Sequence, residues 1–191
     1  MRVRTLVPLV VASAVVAQVA TAQTAVQYKV LATMKTSTME KELNESADAG
    51  FRFQAVMGGE TALGGNEVVA VMSRSADAKP RYAYKLLATT KTSTMEKELQ
   101  DAADLGYEYR GQTVFKSAFG GNEVVCILER DKDAPSERRF EYRLLATTKT
   151  STLEKELGEI GAGGFQVLGM TVGKTALGGK ELVAITGRPK P

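Results

Sequence analysis

Three times in this chain a lysine is followed by Thr-Ser-Thr and then, after one apolar residue, by Glu-Lys-Glu. The runs begin at Lys35, Lys91 and Lys149. A lysine and hydroxyls at a helix start are residue types that hold an anion, because unpaired backbone N–H groups and the positive end of the helix dipole point toward it. Lys35, Thr36 and Ser37, with their copies Lys91, Thr92, Ser93 and Lys149, Thr150, Ser151, therefore form the candidate ligand-binding set. The same residues have a competing structural role. Ser37 with Glu40, Ser93 with Glu96 and Ser151 with Glu154 have capping-box spacing: the hydroxyl accepts from the Glu N–H and the carboxylate returns to the Ser N–H. That carboxylate would compete with an anion for the same donors.

Other chemistries fare worse. Ser37 or Thr38 with Lys41 has the spacing of a hydroxyl–lysine nucleophile, but such a lysine must be buried to lose its proton. Lys41 lies between Glu40 and Glu42, off the Met39–Leu43 stripe, and is expected to stay charged. The 191 residues include no His, which removes imidazole bases and His-ligated metals. A carboxylate metal site from Glu67, Glu123 and Glu181 would need three units to converge; these read more simply as strand starts that face solvent or pair with a nearby Lys or Arg. Gly169 to Thr175 approximates a phosphate loop, one residue short and leading into a strand pattern. The single Cys126 cannot form an internal disulfide and aligns with Ala70 and Ala184 as a small buried strand residue. No catalytic residue, metal or cofactor is assigned.

The elements that carry the Lys-Thr-Ser-Thr runs recur with them. Offsets of 56 and 58 align three gap-free copies of 47 residues, Tyr28 to Arg74, Tyr84 to Arg130 and Tyr142 to Arg188. Of the first 16 positions 12 are identical in all three, against 7 of the remaining 31, so a constraint acts on the first part of the unit. Each copy opens on a β-prone run such as Tyr28 to Thr33. Met39, Leu43 and Ala47, four apart, then mark one stripe of a three-turn helix, which Gly50, Gly106 and Gly164 close in the three copies. Phe51-Arg52-Phe53 and its equivalents alternate as a second strand. Gly64-Gly65, Gly120-Gly121 and Gly178-Gly179 read as turns before a third strand.

The predicted fold class is α+β: three tandem β-α-β-β units, each a three-stranded mixed sheet with one helix on one face. The first strand is expected to run parallel to the second through the helix, with a hairpin to the third. Third strands such as Val124 to Leu128 are apolar at consecutive positions, so both faces must be covered. A single helix covers only one, and the units are therefore expected to pack together.

Met1 to Arg4 is basic, Thr5 to Ala22 is almost uncharged, and Ala20-Thr21-Ala22 is a small-residue cleavage site. Residues 1–22 are read as a signal peptide, with an uncleaved inner-membrane anchor as the rival reading because the segment is nearly long enough to span, followed by repeat units at 27–75, 83–131 and 141–189. Cleavage would leave no stable membrane anchor and place the protein in the bacterial periplasm or outside the cell. It also leaves 23 basic against 22 acidic residues, a net charge of +1, without the basic face that nucleic acid requires.

The pattern Tyr142-Arg143-Leu144-Leu145, Leu153, Leu157, Gly164-Phe165-Gln166-Val167-Leu168, Gly179 to Ile185 and a closing Arg188-Pro189 resembles the small bacterial domain known as domain of unknown function 4177. The likeness covers almost all of each copy, with Phe or Tyr where that family usually has Trp. The family carries no assigned activity, so the resemblance implies a fold and no site residues.

The functional expectation is an exported, non-catalytic repeat protein acting by binding or assembly on a protein or small-molecule partner, a homo-oligomer being compatible with it. The alternative is a small-ligand or anion binder at the three helix starts. An enzyme is the least favoured reading.

Overall fold

The computed structural model describes residues 25–60, 65–89, 91–116, 122–135, 139–174 and 180–190. Residues 1–22, the expected signal peptide, and all the paired-glycine turns except Gly65 lie outside the described residues. The first unit comprises β1 (Gln27–Thr33), α1 (Thr36–Asp48), β2 (Arg52–Glu60) and β3 (Asn66–Arg74). The second comprises β4 (Tyr82–Thr89), α2 (Thr92–Asp104), β5 (Glu108–Lys116) and β6 (Asn122–Asp131). The third comprises β7 (Phe140–Thr147), α3 (Thr150–Ala162), β8 (Gln166–Lys174) and β9 (Lys180–Pro189). The α+β class and the three similar units stand.

The sheets are antiparallel, and the expected mixed sheet is corrected. Their orders are β1-β3-β2, β4-β6-β5 and β7-β9-β8, with every neighbouring pair antiparallel. β1 and β2 do run parallel to each other, but β3 lies between them. The third strand is the most apolar, and the central position pairs both of its edges while burying its side chains. The near-phosphate-loop segment is largely strand: Gly173 lies in β8 opposite Glu181.

Each helix ends as its glycine predicts. Gly50, Gly106 and Gly164 have φ of 85°, 83° and 83°, in the left-handed region that a side chain resists. The Gly50 N–H donates to the Ala47 carbonyl and the Phe51 N–H to the Ser46 carbonyl, the paired bonds of a Schellman motif.

The units share their interiors. Met39, Leu43, Ala47, Phe53, Val68, Ala70 and Met72 of the first unit form one core with Tyr84, Val125 and Ile127 of the second. Met95, Leu99, Val124, Cys126 and Leu128 of the second form another with Tyr142 and Ile185 of the third. Alternate residues of β6 thus feed two cores, which is why its run is apolar at consecutive positions. Each of α1 and α2 packs on its own sheet and, more extensively, against the first strand of the next unit. The second strands of successive units meet directly, β2 on β5 and β5 on β8. Complete burial of Leu43 and of Leu99 is worth about 1.5–3 kcal/mol each, and the neighbouring unit completes that burial.

Candidate functional site

The helix starts differ from the expected capping box. Each helix begins at the first Thr of its run, and Lys35, Lys91 and Lys149 are the N-cap residues, in extended conformation and without a side-chain cap bond. Ser37 therefore sits inside the first turn and cannot cap it. The turn into the helix is made one step earlier: Thr33, Thr89 and Thr147 hydroxyls accept the N–H of Lys35, Lys91 and Lys149 at 3.2, 3.2 and 3.3 Å. Lys35, Ser37, Lys91, Ser93, Lys149, Thr150 and Ser151 are exposed, with Thr36 and Thr92 half-buried. Among the described residues no hydrogen bond or ion pair joins one helix start to another. They are three separate surface points.

The glutamate of the supposed capping box serves the next unit. Glu40 Oε2 accepts the Leu86 N–H at 2.8 Å, and Glu96 Oε2 accepts the Leu144 N–H at 3.1 Å. One helical turn on, Asn44 accepts the Tyr84 N–H and donates to the Tyr84 carbonyl, both at 2.9 Å. Gln100 accepts the Tyr142 N–H and donates to the Phe140 carbonyl, both at 3.2 Å. α1 and α2 thereby pair the outer edge of the following unit's first strand, satisfying backbone groups that an open edge would leave to solvent. In the third unit Glu154 is exposed and Gly158 replaces the carboxamide.

The opening tyrosine of each later unit completes the seam. The buried Tyr84 hydroxyl accepts the Phe53 N–H and donates to Glu129, both at 2.8 Å. Tyr142 repeats the first bond, accepting the Tyr109 N–H at 2.8 Å. Burial pushes the Tyr84 phenol well above its ordinary range and the Tyr142 phenol up to about 12. Glu129 is 1% exposed, and both Arg52 and Arg110 pair with it at 2.9 Å. Its bond to Glu129 raises the Arg52 guanidinium further. Arg110 also pairs with Glu108 at 3.4 Å, so the two guanidiniums are matched by two carboxylates.

The closing arginine of each unit covers the far end of the helix. Arg74, Arg130 and Arg188 lie over the rings of Phe51, Tyr107 and Phe165, at 4.6, 5.1 and 4.5 Å from the centroids. Arg74 and Arg188 also donate to the helix-end carbonyls of Ala49 and Gly163. A cation stacked on an aromatic ring at a helix C-terminus is favourable on both counts.

An open cleft of about 510 Å³ beside the first linker is lined by Arg52, Arg74, Lys79 and Arg81 among others. Arg52 is held by Glu129, Arg81 by Asp131 and Arg74 by the Phe51 ring and the Ala49 carbonyl, so three of its cations are already engaged. The seam roles of Glu40, Asn44, Tyr84 and Glu129 are not among the sequence-based expectations. A signal was present: a carboxamide at the same position in the first two units, Asn44 and Gln100, and glycine in the last.

The geometry singles out the two ends of the stack. Tyr28, the first-unit counterpart of Tyr84 and Tyr142, is 69% exposed where they are 3% and 2% exposed. At the other end Val167, the counterpart of buried Phe53, is 49% exposed. Comparison of the chain with protein-family models, with curated proteins and with solved structures finds no match.

Proposed function

We propose that this protein acts by binding or assembly outside the cytoplasm, without catalysis, and that the end faces of its three-unit stack are the working surfaces. The observation that carries the reading is Tyr28, exposed with Val30, Ala32 and Met57 on a face whose counterparts in the second and third units are seam surfaces. An apolar face left open in this way marks an interaction site. The export reading rests on residues 1–22, and the likeness to domain of unknown function 4177 contributes a fold without an activity.

The side chains considered for catalysis support the same reading. Lys41, Lys97 and Lys155 are exposed and paired along their helices with Glu45, Asp101 and Glu159. Burial pushes the Cys126 thiol up, away from the thiolate that reacts.

A photo-activated cross-linker placed at Val30 or at Met170 in the producing cell tests the proposal. Discrete adducts in the exported fraction are expected. A folded, abundant protein that gives no adduct at either position would refute it.

A further inference from the structure

We infer that the occupant of these faces is a second copy of the chain, docked head to tail so that the third unit of one molecule packs on the first unit of the next. The inference rests on the binding-or-assembly reading and names its partner.

The back face of the first sheet keeps the composition of a seam surface. Tyr28, Val30, Ala32, Met57, Val69 and Val71 occupy the positions of Tyr84, Leu86, Ala88, Thr113, Val125 and Ile127. In the second unit that face closes the first unit's core. In the first unit Val30 is 64% exposed. At the opposite end α3 and β8 present what α1 and β2 present inside the chain. Leu157 is half-buried where Leu43 and Leu99 are fully buried, and Met170 is 53% exposed. Glu154 retains the carboxylate that receives a strand-edge N–H in both internal seams. Its partner in a docked copy is the Val30 N–H on the outer edge of β1, the counterpart of the Leu86 and Leu144 donors.

Side-chain sizes match across the missing junction. Phe53 packs over Gly111, whose hypothetical Cβ would lie 3.3 Å from the ring. Tyr109 packs over Gly169, where a Cβ would collide with its hydroxyl oxygen. In a head-to-tail copy the corresponding pair is Val167 over Ala55: the residue beneath has gained a methyl group and the residue above has lost its ring. Such compensation is what a packed junction requires.

The internal seams join a helix face to a strand face, so the contact is heterologous. The three units do not return on themselves, since Tyr28 stays open, and the same step repeated between molecules extends as a rod or closes into a larger ring. Gly158 withdraws the carboxamide clip that Asn44 and Gln100 supply. The junction between molecules is therefore weaker than the seams within one, and reversible.

The test is sedimentation and light scattering of the exported form over a concentration series. Mass rising in whole-chain steps is expected. Val30→Glu and Met170→Glu, both at exposed positions, should each remain monomeric alone and form a dimer when mixed, because each retains the face the other has lost. Glu154→Ala should weaken association about 3- to 10-fold, the loss of one hydrogen bond, with melting of the monomer unchanged. A wild-type chain that stays monomeric, association that survives Val30→Glu, or a mixture that fails to dimerise would overturn the inference. The cross-linker at Val30 separates the two failures. An adduct with a different protein, or within the chain to its own N-terminal segment, overturns self-docking; no adduct and no association overturns the binding reading as well.

Discussion

The three opening tyrosines offer one substitution in three environments. Tyr84→Phe removes a hydroxyl that accepts the buried Phe53 N–H and donates to buried Glu129. An orphaned buried N–H costs about 1–3 kcal/mol and a lost bond to a charged group about 1.5–3, so with incomplete additivity the expected loss is about 3 kcal/mol. Tyr142→Phe orphans only the Tyr109 N–H, since Gly187 stands where the second unit has Glu129, and should cost about 1–2 kcal/mol. Tyr28→Phe, on the open face, should stay within about 0.5 kcal/mol. The assay is thermal unfolding of the whole chain, kept dilute enough to be monomeric. For a chain of this size the three variants should lower Tm by roughly 6–12, 2–8 and under 2 °C respectively. Equal shifts for all three, or a Tyr28 effect as large as that of Tyr84, would refute the assignment of seam and open face.

Further outcomes follow from the same geometry. Glu129→Gln should destabilise by about 2 kcal/mol, below the usual cost of breaking a buried pair because Arg52 and Arg110 are partly solvated; chemical denaturation measures it. Arg81, Lys190 and Arg188 hold Asp131, Asp104 and Glu141 below the ordinary carboxylate range. Their contribution is therefore present above about pH 4 and lost as pH falls, and Asp131→Asn should flatten the acid limb of the stability profile. Tyr84, Tyr109 and Tyr142 phenols are raised by burial, so the unfolded chain releases protons first above about pH 10 and stability falls there. Tyrosinate absorbance should stay short of its six-tyrosine value until the alkaline unfolding step. Gly50→Ala forces a side chain into positive φ with its Cβ 3.0 Å from the Ala78 carbonyl oxygen, and should cost at least about 1 kcal/mol in thermal melts.

Local features were legible because a periodic pattern is a property of the chain itself. Met39, Leu43 and Ala47 announce a helix face, and Gly50 announces its end. The apolar run Val124 to Leu128 announces a strand covered on both sides. The capping box was misread because Ser37 and Glu40 have its spacing, while the partner that claims Glu40 is Leu86, 46 residues away and outside any local pattern. The Lys-Thr-Ser-Thr starts were legible as exposed helix termini. Their near-identity in the three copies acquires a second cause, since the buried Met39 and Leu43 and the bridging Glu40 and Glu96 serve the seams.

The sequence by itself determined the threefold unit, its element order and the need for units to cover one another, since each of these follows from spacing and apolar periodicity. Only the tertiary structure decided that the third strand takes the centre of each sheet and that glutamate and carboxamide side chains pair the next unit's strand edge. It also decided that the stack stays open with unlike faces at its ends. Strand order and edge pairing depend on hydrogen bonds between residues far apart in the chain, and periodicity along the chain carries no record of which distant edge a side chain will meet.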